Sequence, residues 1–177
     1  VFGTGIIDDL GLGNRVSRLV TFGKAMGCHG AAILGSETLK SYLVNFARSL
    51  IYTTALPPHS VATILASYQH AASDAKKPNS AFKKMRENIQ YFQKELKKQQ
   101  LEEFFIKSDS AIHCAILPGN ARVKQISAAL LDAGFDVKAI LSPTVPAGQE
   151  RLRICLHSYN SQSEIQTVLS LLVKSLE

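Results

Sequence analysis

The 177-residue sequence has no tryptophan, two methionines and three cysteines. Cys28, Cys114 and Cys155 lie far apart in apolar surroundings, and no C-x-x-C pair occurs. That spacing argues against a zinc site, and buried reduced thiols in a cytoplasmic protein are the simplest reading. No apolar run approaches the roughly 18 residues of a membrane-spanning helix. Val1-Phe2-Gly3 has neither a basic segment nor a long apolar core, so it does not read as a secretory signal. Charged residues make up only 19% of the chain against 46% hydrophobic, which excludes a disordered protein. The net charge is +6, and much of it comes from Lys76, Lys77, Lys83, Lys84, Arg86, Lys94, Lys97 and Lys98. These residues decorate one amphipathic helical pattern with no aromatic stacking pattern or known nucleic-acid module beside them, so a solvated face is expected there and a nucleic-acid partner is not.

The length suits one ordinary domain or parts of two. Val16 to Val20 reads as a short buried strand and Ala31 to Leu34 as a second apolar run. Glu37 to Ser49 carries Leu39, Tyr42, Leu43 and Phe46 at helical spacing, with Ser36 as its cap. Ile51 to Thr54 is β-prone and is ended by Pro57-Pro58. A further helix carries Val61, Ile64, Leu65 and Tyr68. The polar stretch 73–79 reads as a junction, which places one domain at 1–75 and another at 76–177. The second domain opens with a long helix, about 80–99, whose apolar stripe is Phe82, Met85, Ile89, Phe92 and Leu96. Strands are expected at 104–106, 111–117, 135–140 and 151–157. A helix capped by Asn120 stops near Gly134, and Ser161-x-x-Glu164 is a capping box before the last helix. These elements make a small sheet covered by helices.

The most informative segment is T-F-G-K-A at 21–25. It places one lysine between two apolar runs, in a loop expected to be partly desolvated. Burial there disfavours the ammonium form and makes the amine a nucleophile, as a Schiff-base lysine requires. The bland alternative is a surface lysine in a Gly-rich turn. Thr21, Thr53 and Thr54 offer hydroxyls suited to a phosphate. The loop Ser142 to Gly148 leads into Arg151 and Arg153, and a guanidinium suits a carboxylate. Each also has a plain reading, as strand-end, turn or surface ion-pair residues. His29, His113 and His157 read as structural, and Asp8 and Asp9 as helix-surface charges.

Taken together, T-F-G-K-A at 21–25, G-C-H-G-A-A at 27–32, N-F-A-R-S-L-I-Y-T-T at 45–54 and P-T-V-P-A-G-x-x-R-L-R at 143–153 resemble the α-oxoamine synthases. These are fold-type-I enzymes dependent on pyridoxal phosphate. The resemblance implies an α/β fold: the end of the large cofactor domain followed by a small C-terminal α+β domain. It implies that Lys24 carries the cofactor and moves the α-proton, that Thr21 binds the cofactor phosphate, and that Thr53 or Thr54 reaches the phosphate in the partner subunit of a homodimer. Arg153 would hold the substrate carboxylate, and Arg151 would be structural. No metal is implied. The wording P-T-V-P-A-G is most similar to the biotin-pathway branch, which condenses L-alanine with a pimeloyl thioester on coenzyme A or a carrier protein and loses carbon dioxide. Sister branches form 2-amino-3-oxobutyrate, 5-aminolevulinate or 3-oxosphinganine. The family's Asp for the pyridinium nitrogen and its two His residues have no counterpart here. Val1-Phe2-Gly3 is expected to follow just after that Asp-x-x-His motif, so the chain reads as a C-terminal half, inactive alone. A non-catalytic module is the competing expectation.

Overall fold

The computed structural model describes residues 5–13 and 15–176. The reading placed on Val1-Phe2-Gly3 lies outside the described residues. The chain divides after Lys77 into two compact units.

The first unit begins with a short helix α1 (Ile6–Asp9), followed by strands β1 (Arg18–Thr21) and β2 (Ala31–Leu34), which form an antiparallel two-stranded ribbon. Its register pairs Arg18 with Leu34 and Thr21 with Ala31. The expected buried strand is therefore shifted, and it is not buried: Leu19 is 71% exposed and Ile33 56%. A ribbon of two strands has no second layer of its own to cover both faces. Helices α2 (Glu37–Phe46) and α3 (Arg48–Ile51) follow. The Ser36 hydroxyl accepts the Leu39 N–H at 3.1 Å, as an N-cap should. The β-prone run at 51–54 is not a strand. Ile51 closes α3, and Thr53 and Thr54 are coil leading into Pro57. Local helical hydrogen bonds to Ala47 and Arg48 override β-propensity where no neighbouring strand is available to pair. Pro58 opens α4 (Pro58–Asp74), where its missing N–H costs nothing.

In the second unit, α5 (Ala81–Lys98) is capped by Ser80, whose hydroxyl accepts the Lys83 N–H at 3.1 Å. Residues 102–104 form a 3-10 turn, and Phe105 makes only an isolated bridge to Ala115, so the strand expected at 104–106 is reduced to one residue. Strand β3 (Ile112–Ile116), helix α6 (Asn120–Asp132), strands β4 (Lys138–Ile140) and β5 (Arg151–Cys155), and helix α7 (Gln162–Leu176) complete the unit. The sheet order is β3-β5-β4, antiparallel throughout. Asn120 is not the cap of α6; Gly119 holds that position at φ +105°, and the Asn120 side chain is used elsewhere. The capping box before α7 is formed: the Glu164 N–H donates to the Ser161 hydroxyl at 3.2 Å, and Glu164 accepts the Ser161 N–H at 2.7 Å.

One face of this sheet is the core. Leu152, Ile154 and Leu156 point into it, against Val123, Ile126 and Leu130 of α6 and Ile165, Leu169 and Leu172 of α7. Phe92 of α5 is 1% exposed and lies edge-on to Phe105 at 5.7 Å and tilted against His113 at 4.4 Å. Asn88, also on α5, donates to the carbonyls of His157 and Asn160 at 2.8 and 2.9 Å, tying the helix to the turn after β5.

Truncating Phe92 to Ala removes a fully enclosed ring and should cost about 3–5 kcal/mol, measured by urea denaturation. His113 gives a pH test. It is 1% exposed, and its Nε2 has no hydrogen-bond partner. Burial lowers its pKa from 6.5, against smaller opposing effects of the Ser110 carbonyl and Asp109. The unfolded chain binds this proton near pH 6.5 and the folded chain only at lower pH. The stability due to neutral His113 is thus complete above about 6.5 and is lost as pH falls below it. Denaturation midpoints should decline from pH 7 to 5, and His113→Phe should flatten that decline; an equally steep decline in the variant would exclude His113 as its source.

Candidate active site

Lys24 lies in the connection between β1 and β2. Its carbonyl accepts the Gly27 N–H at 2.9 Å, closing a tight turn. The Phe22 carbonyl accepts the Cys28 N–H at 2.8 Å, and Phe22 and Cys28 are buried beneath the turn. Cys28 Sγ lies 3.1 Å from the Ser67 hydroxyl on α4. Gly30, at φ +115°, passes so close to Leu56 that an added Cβ would sit 2.9 Å from its side chain. The loop is thus pinned from below while Lys24 itself is exposed. The desolvation expected from its neighbours in sequence is not provided within this unit, because the apolar runs pair with each other and leave the turn at the ribbon's end uncovered.

Thr21 ends β1, three residues before Lys24, and is exposed; Thr53 and Thr54 are exposed on the coil after α3. Among the described residues, the side chains of Lys24, Thr21, Thr53 and Thr54 are engaged in no hydrogen bond or ion pair with the protein.

Arg153 belongs to the second unit, on the face of β5 opposite the core. Along β5, Leu152 and Ile154 are buried while Arg153 and Cys155 are exposed. In the register, Arg153 stands between Cys114 of β3 and Lys138 of β4. Lys138 is paired with Asp136 at 2.8 Å. The Arg151 Nε donates to the Gln149 carbonyl at 2.8 Å, so that guanidinium is fixed to its own loop. Arg153 makes no ion pair with a carboxylate among the described residues. Burial raises the Cys114 thiol pKa, and the positive charges of Arg151 and Arg153 oppose that shift. Cys28 is buried but Cys155 is exposed, so the expectation of three buried thiols holds only in part. Among the described residues, no cluster of His, Cys, Asp or Glu is arranged to hold a metal, and no helix is long and apolar enough to cross a membrane.

Sequence reasoning missed Glu150. It is 4% exposed, and its Oε2 accepts the N–H groups of Gly119 at 3.0 Å and Gly148 at 2.9 Å. The Gly119 bond and its other amide bonds hold this carboxyl below the usual carboxylate range. An acidic residue ahead of a strand gives no signal in sequence; one of its partners, the Gly119 N–H, comes from a distant turn.

The model of the family described as aminotransferase class I and II matches residues 5–172. The chain belongs to this family. It is 38% identical over 175 residues to the 8-amino-7-oxononanoate synthase of Xanthomonas axonopodis pv. citri, and 34% identical over 178 residues to that of Emericella nidulans. These alignments cover 98% and 99% of the chain but 42% and 43% of the relatives, so the chain spans less than half of their length. Among solved structures, 8-amino-7-oxononanoate synthase from Francisella tularensis superposes with a TM-score of 0.75 at 28% identity, over 91% of this chain and 45% of that one. A serine palmitoyltransferase solved with pyridoxal phosphate superposes with a TM-score of 0.80 at 25% identity, over 98% and 44%. The α/β fold of the family therefore extends across both units.

Proposed function

We propose that this chain is the lysine- and arginine-bearing part of a pyridoxal-phosphate-dependent acyltransferase that joins L-alanine to a pimeloyl thioester, releasing the thiol and carbon dioxide and forming 8-amino-7-oxononanoate. Residues 1–75 are then the end of the cofactor domain and 76–177 the small domain, a boundary two residues from the division after Lys77. Lys24 carries the reading: it is an exposed, unpaired amine on a pinned turn, three residues after an unengaged threonine. The relatives at 34–38% identity support the choice of product.

The donor set fits the cofactor. An amine answers its aldehyde, three unengaged hydroxyls suit its phosphate, and a guanidinium free of carboxylate partners suits the substrate. When bound, pyridoxal phosphate supplies an electron sink for the substrate carbanion. Lys24 would hold the cofactor through its amine and, with that amine free, would take the α-proton on Nζ and later return one. Thr21 donates its hydroxyl to the phosphate. Thr53 or Thr54 does so for a partner subunit in a homodimer. Arg153 holds the amino-acid carboxylate, and this grip must loosen as the same carboxylate departs as carbon dioxide. A sister reaction with glycine or serine is the second reading, favoured by the similarity to serine palmitoyltransferase.

Borohydride reduction of the full-length protein with pyridoxal phosphate should leave a pyridoxyl group on the peptide containing Lys24; an unmodified Lys24 in folded, complete protein defeats the reading. Lys24→Ala should lower turnover by at least about 10²- to 10⁴-fold, measured as thiol release from the acyl thioester. Arg153→Ala should raise the KM for alanine by roughly ten- to a hundredfold, the worth of a charged hydrogen-bonding partner. Comparing alanine, glycine and serine as substrates separates the two readings.

A further inference from the structure

Resting on the assignment of Arg153 to the substrate carboxylate, we propose that Glu150 and Asn120 are positioning residues that hold the Ser142–Gln149 loop and, through it, the arginine pair of β5. Strands β4 and β5 are antiparallel neighbours, and the loop is the long connection between them. Its own hydrogen bonds are few: Val145 N–H to the Leu141 carbonyl at 3.2 Å, and Gln149 N–H to the Pro146 carbonyl at 3.0 Å. The β4 end is anchored instead to Asn120, the first residue of α6, and the β5 end to Gly119 in the turn between β3 and α6. At the β4 end, Asn120 and Ser142 bond reciprocally. The Asn120 amide donates to the Ser142 carbonyl at 3.2 Å, and the Ser142 N–H donates to Asn120 Oδ1 at 2.9 Å. At the β5 end, one oxygen of Glu150 receives Gly148 from the loop and Gly119 from the turn. The Glu150 carbonyl also accepts the Leu117 N–H at 2.8 Å, extending the β3–β5 ladder by one bond.

The anchored loop acts on the arginines directly. Gln149, between Gly148 and Glu150, supplies the carbonyl that holds the Arg151 Nε. Arg151 and Arg153 lie on one face of β5, two residues apart. With Arg151 fixed to the loop, a second positive charge stays beside Arg153 without competing for the same anion. If the loop is released, Arg151 loses its carbonyl partner and becomes a second mobile cation. The amino acid then meets two guanidiniums without a set geometry. A buried carboxylate satisfied by two amides is also costly to remove, because both N–H groups lose their acceptor.

The test uses the full-length holoprotein, with calorimetric titration of L-alanine alongside steady-state kinetics. Glu150→Ala should raise both the Kd and the KM for alanine by about tenfold or more while kcat changes less than about threefold, the pattern of lost binding geometry rather than lost chemistry. Glu150→Gln keeps an oxygen for the two N–H groups and should return both constants to within about threefold of wild type. Asn120→Ala frees the other end of the loop and should weaken binding in the same direction; it carries the comparison if Glu150→Ala does not fold. Unchanged Kd and KM in Glu150→Ala and Asn120→Ala overturn the positioning role. So does a fall in kcat at unchanged Kd, or a Glu150→Gln as impaired as Glu150→Ala. Wild-type protein that binds no α-amino acid defeats the functional reading itself, which separates the two failures.

Discussion

Everything in the second unit depends on β5 being a central strand with two unlike faces. Leu152 and Ile154 of β5 and Leu156 just after it are buried in one core with residues of α6 and α7. A shift of one residue would exchange the two faces, putting Arg151, Arg153 and Cys155 into the core. Hydrophobic burial of three side chains therefore fixes where the arginines stand. The strand has partners on both sides, so its register is specified twice, by Cys114 and by Lys138 against Arg153. The candidate carboxylate ligand is thus placed by residues that never touch the carboxylate.

The first unit follows a different logic. Among the described residues its two-stranded ribbon leaves Leu19 and Ile33 exposed. Precision comes from local bonds instead: the Lys24 turn, the Phe22–Cys28 hydrogen bond and the tight passage of Gly30 over Leu56. Backbone geometry of this kind can aim a lysine without burying it. The chemistry proposed for Lys24 requires a neutral amine at a set place, and the pinned turn fixes the backbone that carries it.

The organisation of the chain was largely legible in its sequence. Helical spacing located α2, α4, α5, α6 and α7; α5, α6 and α7 bury an apolar stripe, whereas α2 has no buried residue and α4 buries only Ser60. Ser36 and Ser161 marked helix starts correctly, since each hydroxyl accepts the N–H three residues on, within reach of local reasoning. The errors occurred where a residue answers to something distant. Asn120 looked like a cap, but its amide is taken by Ser142. Ile51 to Thr54 looked like a strand, but it has no strand beside it. Phe104 to Ile106 kept one bridge of an expected strand.

The candidate site divides the same way. The sequence alone singled out the candidate residues: a lysine in T-F-G-K-A, the threonines, and an arginine alternating with leucine and isoleucine. It also determined the family, because those segments occur in a fixed order. Tertiary structure alone decided that Lys24 is exposed, that Arg151 is tied to Gln149 while Arg153 is not, and that Glu150 anchors the loop beside them. The physical reason is range. Side-chain type and periodicity are properties of neighbours along the chain, whereas burial and hydrogen-bond satisfaction depend on groups that only folding brings within about 3 Å.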